Sequence, residues 1–341
     1  MAIKSKDLAK MLGLSPASIS LVLNNKPGVG EETRKRVLDT IRELGYDELL
    51  PDSPEQKQTI LFLVYRKNST KQKESAYFSQ LFSSVIEGVE NQIKQLGYQL
   101  MITYTDSPTI ASEIEKIRSD KIDGLLLLAT EMVKEQLDLF HNINIPVVVI
   151  DNYMESEDMD CVAINNEQGV DMAISHLVSK GHKEIGYLHI EDNANNFIER
   201  YDGFFRSFRE NELQINSSNI ISFSTMGGDT VYTELMDRIG KMEQMPTAFF
   251  ADNDIIAVLA IRILREKGYR VPEDISIVGF DDISISELVD PPLTTVRTPK
   301  FEIGCVAVMT LASRIEGRSV GIQKIEMKTS LVERKSVITL L

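Results

Sequence analysis

The pattern of apolar and polar positions is most informative near the start of the chain, where residues 15–24 read Ser-Pro-Ala-Ser-Ile-Ser-Leu-Val-Leu-Asn. Ser15 suits the N-cap of a helix, and Pro16 suits the first helical position, where its missing N–H costs nothing. Ile19, Val22 and Leu23 lie three and four residues apart, so they share one face of the predicted helix. The opposite face carries small side chains.

Two further helices are predicted on either side of this one. Leu8, Ala9 and Leu12 form an apolar face upstream, and Gly13 marks a tight turn between the two helices. Residues 31–44 predict an amphipathic helix that Gly45 ends, with four apolar residues facing inward: Val37, Leu38, Ile41 and Leu44. Two short helices joined in this way are typical of a helix-turn-helix, whose second helix enters the DNA major groove. An ordinary pair of packed helices has the same spacing.

From residue 60 onward, apolar runs alternate with amphipathic segments in two successive series. This alternation predicts an α/β fold with two doubly wound parallel sheets, one in each of two lobes. The predicted strands are 60–64, 99–104, 124–129, 146–150, 184–190, 219–223, 248–251 and 275–280, and the predicted helices are 82–96, 110–119, 131–142, 170–180, 203–211, 230–241 and 254–267.

The charge is distributed unevenly along the 341 residues. The formal net charge is −14, which alone argues against a nucleic-acid-binding protein. Residues 1–46, however, hold 8 Lys and Arg against 5 Asp and Glu, a net of +3, whereas the remainder carries 29 against 46, a net of −17. A small basic module on an acidic body is consistent with a DNA-binding domain.

The sequence lacks the signals of several protein classes. The two cysteines, Cys161 and Cys305, give no disulfide framework and no metal-ligand spacing. The first residues lack the apolar core of a signal peptide, and no apolar run is long enough to cross a bilayer. We therefore expect a cytoplasmic protein without a bound metal or cofactor and without a membrane partner.

The residue patterns resemble the lactose/galactose repressor family of transcription factors over almost the whole chain. In the first 46 residues the resemblance is carried by 7–10 (Asp-Leu-Ala-Lys), 18–20 (Ile19 between two serines), 22–24 (Val-Leu-Asn), 26–29 (Lys-Pro-Gly-Val) and 43–46 (Glu-Leu-Gly-Tyr). Further along it is carried by 122–124, 145–151, 176–182, 200–204, 251–254 (Ala-Asp-Asn-Asp), 271–282 and 290–296 (Asp-Pro-Pro-Leu-Thr-Thr-Val).

The resemblance implies a helix-turn-helix domain at 1–46, a linker at 47–59 and a bilobed effector-binding domain of the periplasmic-binding-protein type at 60–341. The chain of this fold passes between the lobes three times, which implies one lobe of about 60–164 plus 292–324 and another of about 165–291 plus 325–341. The family binds operator DNA as dimers. Since no heptad tail follows residue 336, we expect a homodimer rather than a tetramer.

The linker departs from the family pattern. The family's hinge helix carries a leucine that wedges into the minor groove, and only Leu49 and Leu50 are candidates here. Pro51 disfavours helix at Leu50, and acidic neighbours are repelled by phosphate. We therefore expect no leucine wedge in the minor groove.

Polar residues follow several predicted strands at the edge where parallel sheets bind ligands. Carboxylates and amides suit polyhydroxylated ligands. A turn or helix cap is the common alternative for such residues, and Asp254 is expected to cap the helix that follows it. The resemblance implies effector contacts from Asp151, Arg200, Phe223, Asn253, Asp281 and either Phe78 or Phe82. Because Thr298 stands where many relatives carry glutamine, the effector's identity is not transferred.

The outer face of the predicted second helix matches the family's DNA-reading surface. The residues implied to contact DNA bases or phosphates are Ser5, Ser15, Pro16, Ala17, Ser18, Ser20, Leu21, Asn24, Pro27 and Arg34. Ala17 and Leu21 offer apolar contact to thymine methyl groups rather than a bidentate contact to guanine. Packing of Leu21 within the protein is the alternative.

Two other functional classes fit less well. The four histidines are scattered, and no metalloprotease, nucleophile-elbow, Walker or dinucleotide motif is present, so an enzyme is not expected. A transport-type binding protein is opposed by the DNA-binding module and the missing signal peptide. The prediction is a transcriptional regulator that acts as a repressor and is controlled by a sugar or sugar derivative bound between two lobes. A nucleoside or purine-type effector, or a protein corepressor, is the alternative.

Overall fold

A computed structural model describes residues 5–24, 26, 28–46, 57–67, 75–153, 158–223, 229–319 and 321–340, and for residues 5–7, 75–81 and 229–230 it describes the backbone only. The chain divides into two units, Met1–Gln58 and Thr59–Leu341. Leu49 and Leu50 lie outside the described residues, so the prediction about a leucine wedge stays a prediction.

The first unit contains three helices, α1 (Ser5–Leu12), α2 (Pro16–Leu23) and α3 (Glu31–Glu43). The hydroxyl of Ser15 accepts a hydrogen bond from the Ser18 N–H at 3.0 Å, which confirms the predicted N-cap of α2. Gly13 takes a φ of +66° in the turn before it. The buried cluster of this unit consists of Leu8, Ala9, Ile19, Val22, Val37 and Ile41, as the spacing predicts.

One residue predicted to lie inside this cluster does not. Leu44 is 39% exposed. Gly45, with a φ of +70°, ends α3 by donating its N–H to the Arg42 carbonyl. Because the chain turns back at this glycine, Tyr46 packs against the cluster in place of Leu44.

The second unit is built from β-strands and helices in alternation. Its strands are β1 (Thr59–Tyr65), β2 (Gln99–Thr105), β3 (Gly124–Leu128), β4 (Val147–Ile150), β5 (Asp160–Ile164), β6 (Ile185–Ile190), β7 (Ile220–Phe223), β8 (Ala248–Ala251), β9 (Ser276–Asp281), β10 (Thr294–Arg297), β11 (Lys324–Met327) and β12 (Ser330–Val332). Its helices are α4 (Ser75–Leu96), α5 (Ile110–Ser119), α6 (Lys134–Leu137), α7 (Asn166–Ser179), α8 (Asn195–Glu210), α9 (Asp229–Gly240), α10 (Asp254–Glu266), α11 (Ile285–Leu288) and α12 (Lys300–Ile315).

The strands form two six-stranded sheets, which confirms the predicted fold class. The first sheet has the order β11-β5-β4-β3-β1-β2, and all its pairings are parallel. The second has the order β12-β10-β9-β8-β6-β7 and is parallel except for β12, which runs antiparallel to β10. The largest buried cluster includes residues from both sheets, such as Phe62 on β1 and Phe250 on β8.

The chain passes between the sheets after β5, β10 and β11, and two of these crossings lie later than expected. β10 pairs with β9 in the second sheet, so the second crossing follows Arg297 rather than residue 291. β11 pairs with β5 in the first sheet, so the third crossing follows Met327 rather than residue 324. Strand pairing between distant segments sets these boundaries, and no local pattern marks them.

The predicted helix at 131–142 is also shorter than expected. Only Lys134–Leu137 is α-helical, and a 3₁₀ turn follows at Asp138–Phe140. The sequence pattern did not predict β5, β10, β11, β12, α11 or α12.

Candidate functional site

The outer face of α2 is left out of the core of the first unit. Pro16, Ala17 and Ser20 are exposed, Ser18 and Leu21 are half-buried, and neither Ala17 nor Leu21 belongs to the buried cluster. The Leu21 side chain instead lies beside Gly28, where an added Cβ would stand 3.4 Å from Leu21 Cδ1. This face is therefore available to contact another molecule.

Asn24 and Arg34 lie close to this face and already contact the backbone. The Asn24 amide Nδ2 donates to the Ser20 carbonyl at 2.7 Å, and the Arg34 guanidinium donates to the Lys26 carbonyl. Both contacts fix the segment that follows α2. The Ser5 side chain and Pro27 lie outside the described residues, so nothing is added to their expected roles.

A cavity of about 50 Å³ lies in the second unit, where the carboxyl ends of both sheets meet. The described residues that line it are Phe82, Val85, Thr130, Glu131, Asp151, Ile164, Ala194, Asn196, Phe197, Arg200, Asp281, Lys300 and Ile303. Enclosing one water needs roughly 10–15 Å³, so this space holds only a few water-sized groups. A sugar is larger than this space, so it fits only if the cavity widens.

Arg200, on α8, is buried in the cavity wall and holds several elements together. Its Nε donates to Asn166 Oδ1 at 2.9 Å, and a terminal nitrogen donates to the Asp252 carbonyl. The other terminal nitrogen lies 3.4 Å from Asp281 Oδ1, and the guanidinium carbon stands 3.9 Å from the centre of the Phe280 ring. These contacts fix the guanidinium plane.

Asp151 faces Arg200 from the end of β4. Its Oδ2 accepts a hydrogen bond from Thr130 Oγ1 at 2.7 Å, whereas the buried Oδ1 accepts none from the described residues. Burial raises the pKa of this carboxyl, and the side chains of Thr130 and Asn196 partly offset that rise. Asp151 therefore presents one acceptor oxygen without a partner at the cavity.

Asp151 and Asp281 also share an uncommon backbone conformation. Their φ angles are +61° and +104°, in the region that favours glycine. Such positions cost about 1–3 kcal/mol and cluster at functional sites.

Two of the expected effector residues do not line the cavity. Asn253 is the N-cap of α10, because its Oδ1 accepts from the Ile256 N–H at 2.9 Å. Phe223, at the end of β7, is 1% exposed and packs in the hydrophobic cluster of the second sheet. Of the two phenylalanines left open, Phe82 lines the cavity, and the side chain of Phe78 lies outside the described residues.

The expectation that Asp254 caps α10 was wrong. Its carboxylate is buried and accepts hydrogen bonds from the Ser286 and Thr295 hydroxyls and from the Ile283 N–H. The preceding residue, Asn253, takes the cap because only its backbone has the extended conformation that an N-cap requires.

Sequence reasoning missed several polar residues of the cavity. Thr130 comes two residues after β3 and could have been found by the rule applied to Asp151. Asn196 precedes Arg200 by one helical turn, so the two share a face of α8. Lys300 lies at the start of α12, a helix that the sequence pattern did not predict, and no local signal indicates its role.

Neither a metal-binding cluster nor a membrane-spanning helix is found among the described residues. Within the described ranges, no group of three or more His, Cys, Asp or Glu side chains is placed to hold a metal ion. Among the same residues, no helix has the length and apolar character of a membrane span.

The fold and its sites define a class of protein: a helix-turn-helix unit with an exposed second helix, joined to two parallel sheets that share one cavity. Residues 5–48 match the family described as "Bacterial regulatory proteins, lacI family", and residues 174–337 match "Periplasmic binding protein-like domain". The chain belongs to the lacI family of bacterial regulatory proteins. It is a DNA-binding transcriptional regulator, as the resemblance implied.

Individual proteins match along almost the whole chain. The chain is 34% identical to the HTH-type transcriptional repressor PurR of Haemophilus influenzae, over 98% of this chain and 99% of that protein. Its fold is similar to that of the lac repressor dimer bound to operator and an anti-inducer, with a TM-score of 0.74, 22% identity and coverage of 99% and 100%. A regulator from Alkaliphilus metalliredigens complexed with D-xylulofuranose has a TM-score of 0.67, 25% identity and coverage of 83% and 100%.

Proposed function

We propose that this protein is a transcriptional repressor rather than an enzyme, and that it acts in the cytoplasm as a homodimer on a pseudo-palindromic operator. The observation that carries the proposal is the outer face of α2, which the core of its own unit leaves exposed. One such helix contacts a half-site, so a two-fold dimer contacts two half-sites. The full-length similarity to a named repressor supports this direction of regulation.

The DNA-reading roles are assigned on the same surface. Pro16, Ala17 and Leu21 present an apolar face to base edges, which suits thymine methyl groups. Ser15, Ser18 and Ser20 flank it and offer hydroxyls to bases or phosphates. Phosphate contacts are assigned to Ser5, Asn24, Pro27 and Arg34, which position the helix without reading sequence.

A small-molecule effector occupies the cavity between the lobes in this proposal. Asp151 offers an acceptor oxygen, while Thr130 and Asn196 add polar groups of the kind that bind adjacent hydroxyls. A sugar or sugar derivative fits this set, and the D-xylulofuranose complex of the Alkaliphilus regulator supports it. Phe82 and Phe197 provide apolar surface that a nucleobase also fits, so a nucleoside-type effector is the alternative.

The effector would act by its different affinity for two arrangements of the lobes. The cavity is too small for a sugar in the arrangement described, so binding changes the separation of the lobes. A ligand shifts such an equilibrium only by the ratio of its affinities for the two states, and a hundredfold ratio corresponds to about 2.7 kcal/mol.

A ligand screen followed by DNA binding tests the proposal. We expect one sugar, sugar derivative or nucleoside to raise the thermal midpoint of the protein and to change the mobility shift of DNA from its own promoter region. Asp151→Asn should abolish the thermal shift and leave ligand-free DNA binding intact, because Asp151 lies in the effector unit. Failure to bind promoter DNA at low salt, with or without ligands, would refute the repressor. Ligand binding without DNA binding would indicate a small-molecule-binding protein instead.

A further inference from the structure

Lys300 is the first residue of α12 and lines the cavity between the lobes. Its Nζ donates a hydrogen bond to the backbone carbonyl of Asp281, at the end of β9. α12 packs against α4 and the first sheet, whereas β9 belongs to the second sheet. Lys300 therefore lies at the crossing between the lobes, three residues after Arg297, which pairs with Asp281.

Lys300 is half-buried, and its ammonium group has no ion-pair partner among the described residues. Among the described residues, no carboxylate oxygen lies within 4 Å of Nζ, although buried charges are usually paired. Asp281 is the nearest candidate, and its carboxylate is directed to Arg200 at 3.4 Å. One of the three ammonium N–H donors is used by the Asp281 carbonyl.

The two other carboxylates near Lys300 are also engaged elsewhere. Asp282 forms ion pairs with Arg297 at 2.6 Å and with Arg334 at 2.7 Å. Asp254 accepts three hydrogen bonds within the second sheet. These acidic residues act on Lys300 through space only.

The position of Lys300 in its helix is also unfavourable for a positive charge. The N-terminus of a helix carries partial positive charge, which disfavours a cation in the first turn. α12 has 16 residues, and no side chain caps its N-terminus. The lysine and the uncapped helix therefore place positive charge at one wall of a cavity that Glu131, Asp151 and Asp281 also line.

We propose that Lys300 selects effectors by charge, and that the effector carries an anionic group, a carboxylate or a phosphate, which pairs with Nζ. This inference rests on the proposed effector site. An anion there would pair with the ammonium group, and the positive end of the α12 dipole would stabilise it. Arg200 does not take this role, because Asn166, Asp252 and Asp281 already hold its guanidinium. Since Lys300 lies at the crossing between the lobes, the anion would also affect lobe closure.

Calorimetry with matched ligand pairs tests the inference on the full-length protein. Each set shares one skeleton: glucose with glucuronate and glucose 6-phosphate, ribose with ribose 5-phosphate, and adenosine with its monophosphate. Inorganic phosphate serves as the anion alone. We expect an anionic member to bind at least tenfold more tightly than its neutral partner, since a charge-assisted hydrogen bond contributes a factor of about ten to a hundred. The uronate and phosphate arms distinguish the two kinds of anion.

Variants of the lysine provide the matched controls. Lys300→Met keeps the length of the side chain. It should weaken binding of the anionic ligand tenfold or more and leave any affinity for the neutral ligand of the same skeleton unchanged. Lys300→Arg should retain most of the preference. Lys324→Met removes a lysine that lies over Tyr153, away from the cavity lining, and should have no effect. Lys300→Met should also leave the ligand-free thermal midpoint unchanged or raise it, because a half-buried charge without an ion-pair partner is removed.

Three outcomes would overturn the inference. The first is tighter binding of the neutral ligands than of the anionic ones. The second is an affinity of Lys300→Met for the anionic ligand that equals that of the parent. The third is a Lys300→Met variant that is less stable than the parent without ligand, while Lys300→Arg is not. If neutral ligands bind and change the DNA mobility shift, the proposed function stands and only the charge selection fails. If no member of the panel binds, the charge selection is refuted, and the proposed repressor is judged by its binding to promoter DNA.

Discussion

Asp254 provides the sharpest prediction about stability. Its carboxyl is buried between α10 and β9, and burial, followed by the nearby charge of Asp281, raises its pKa from the ordinary 3.8 to about 7. Asp254 and Lys300 interact through space. Three hydrogen bonds to the carboxylate reduce the rise but do not cancel it.

The sign of the effect follows from proton binding. Between about pH 4 and pH 7 the folded protein holds a proton on Asp254 that the unfolded chain has lost. The free energy of unfolding therefore increases as the pH falls from 7 to 4, and this stabilisation is lost as the pH rises through 7. The difference between the pKa of about 7 in the folded protein and the ordinary 3.8 contributes roughly 4 kcal/mol to the free energy of unfolding.

Asp254→Asn should remove this dependence on pH. An asparagine Oδ1 in place of the aspartate Oδ2 accepts from the Ile283 N–H and the Ser286 hydroxyl, and its amide nitrogen donates to the Thr295 hydroxyl. We expect the variant to be more stable than the parent by about 2–4 kcal/mol at pH 8.5 and nearly equal to it at pH 5.

Urea denaturation of the full-length protein at several pH values measures the difference. Burial lowers the pKa values of His176 and His182, and their contribution cancels between parent and variant. Asp274→Asn is the control, because Arg270 holds the pKa of that exposed carboxyl at about 2 and its titration lies below this range. An Asp254→Asn variant that is less stable than the parent at pH 8.5, or a difference that does not change with pH, would refute the reasoning.

Three further predictions concern DNA reading and the cavity. Leu21→Arg should change the preferred half-site base, because a guanidinium replaces an apolar contact, and unchanged specificity in a binding-site selection would count against this face. Substituting both Leu49 and Leu50 with alanine should leave operator affinity nearly unchanged, and a tenfold loss in a titrated mobility shift would establish a minor-groove wedge. Arg200→Lys should lower the free energy of unfolding by about 2–4 kcal/mol and abolish the ligand-induced thermal shift, because one ammonium cannot hold three partners; a variant with the parent's denaturation midpoint would contradict this.

The sequence predicted the DNA-reading unit in detail because its determinants are local. Ser15, Pro16 and the spacing of Ile19, Val22 and Leu23 define a helix with one buried face, whatever the rest of the chain does. The strands β1, β2, β3, β4, β6, β7, β8 and β9 were likewise predicted from their own apolar runs. The fold class follows from their alternation with helices.

The cavity was predicted only in part. Asp151 and Arg200 were found from their place after a strand and from a family resemblance, and both line it. Asn253 and Phe223 matched the same criteria but do not line the cavity. Asn253 caps α10, and Phe223 packs in the core. Residue type and position after a strand do not specify where a side chain finally points.

The sequence by itself determined most helices, most strands and the outward face of α2, since each depends on neighbours within a few residues. The tertiary structure alone decided that β10 and β11 join opposite sheets and that Asn253, not Asp254, caps α10. It also placed Lys300 beside Asp281. Those outcomes depend on strand pairings and hydrogen bonds between segments tens to more than a hundred residues apart, and no local pattern records which distant partner a residue will meet.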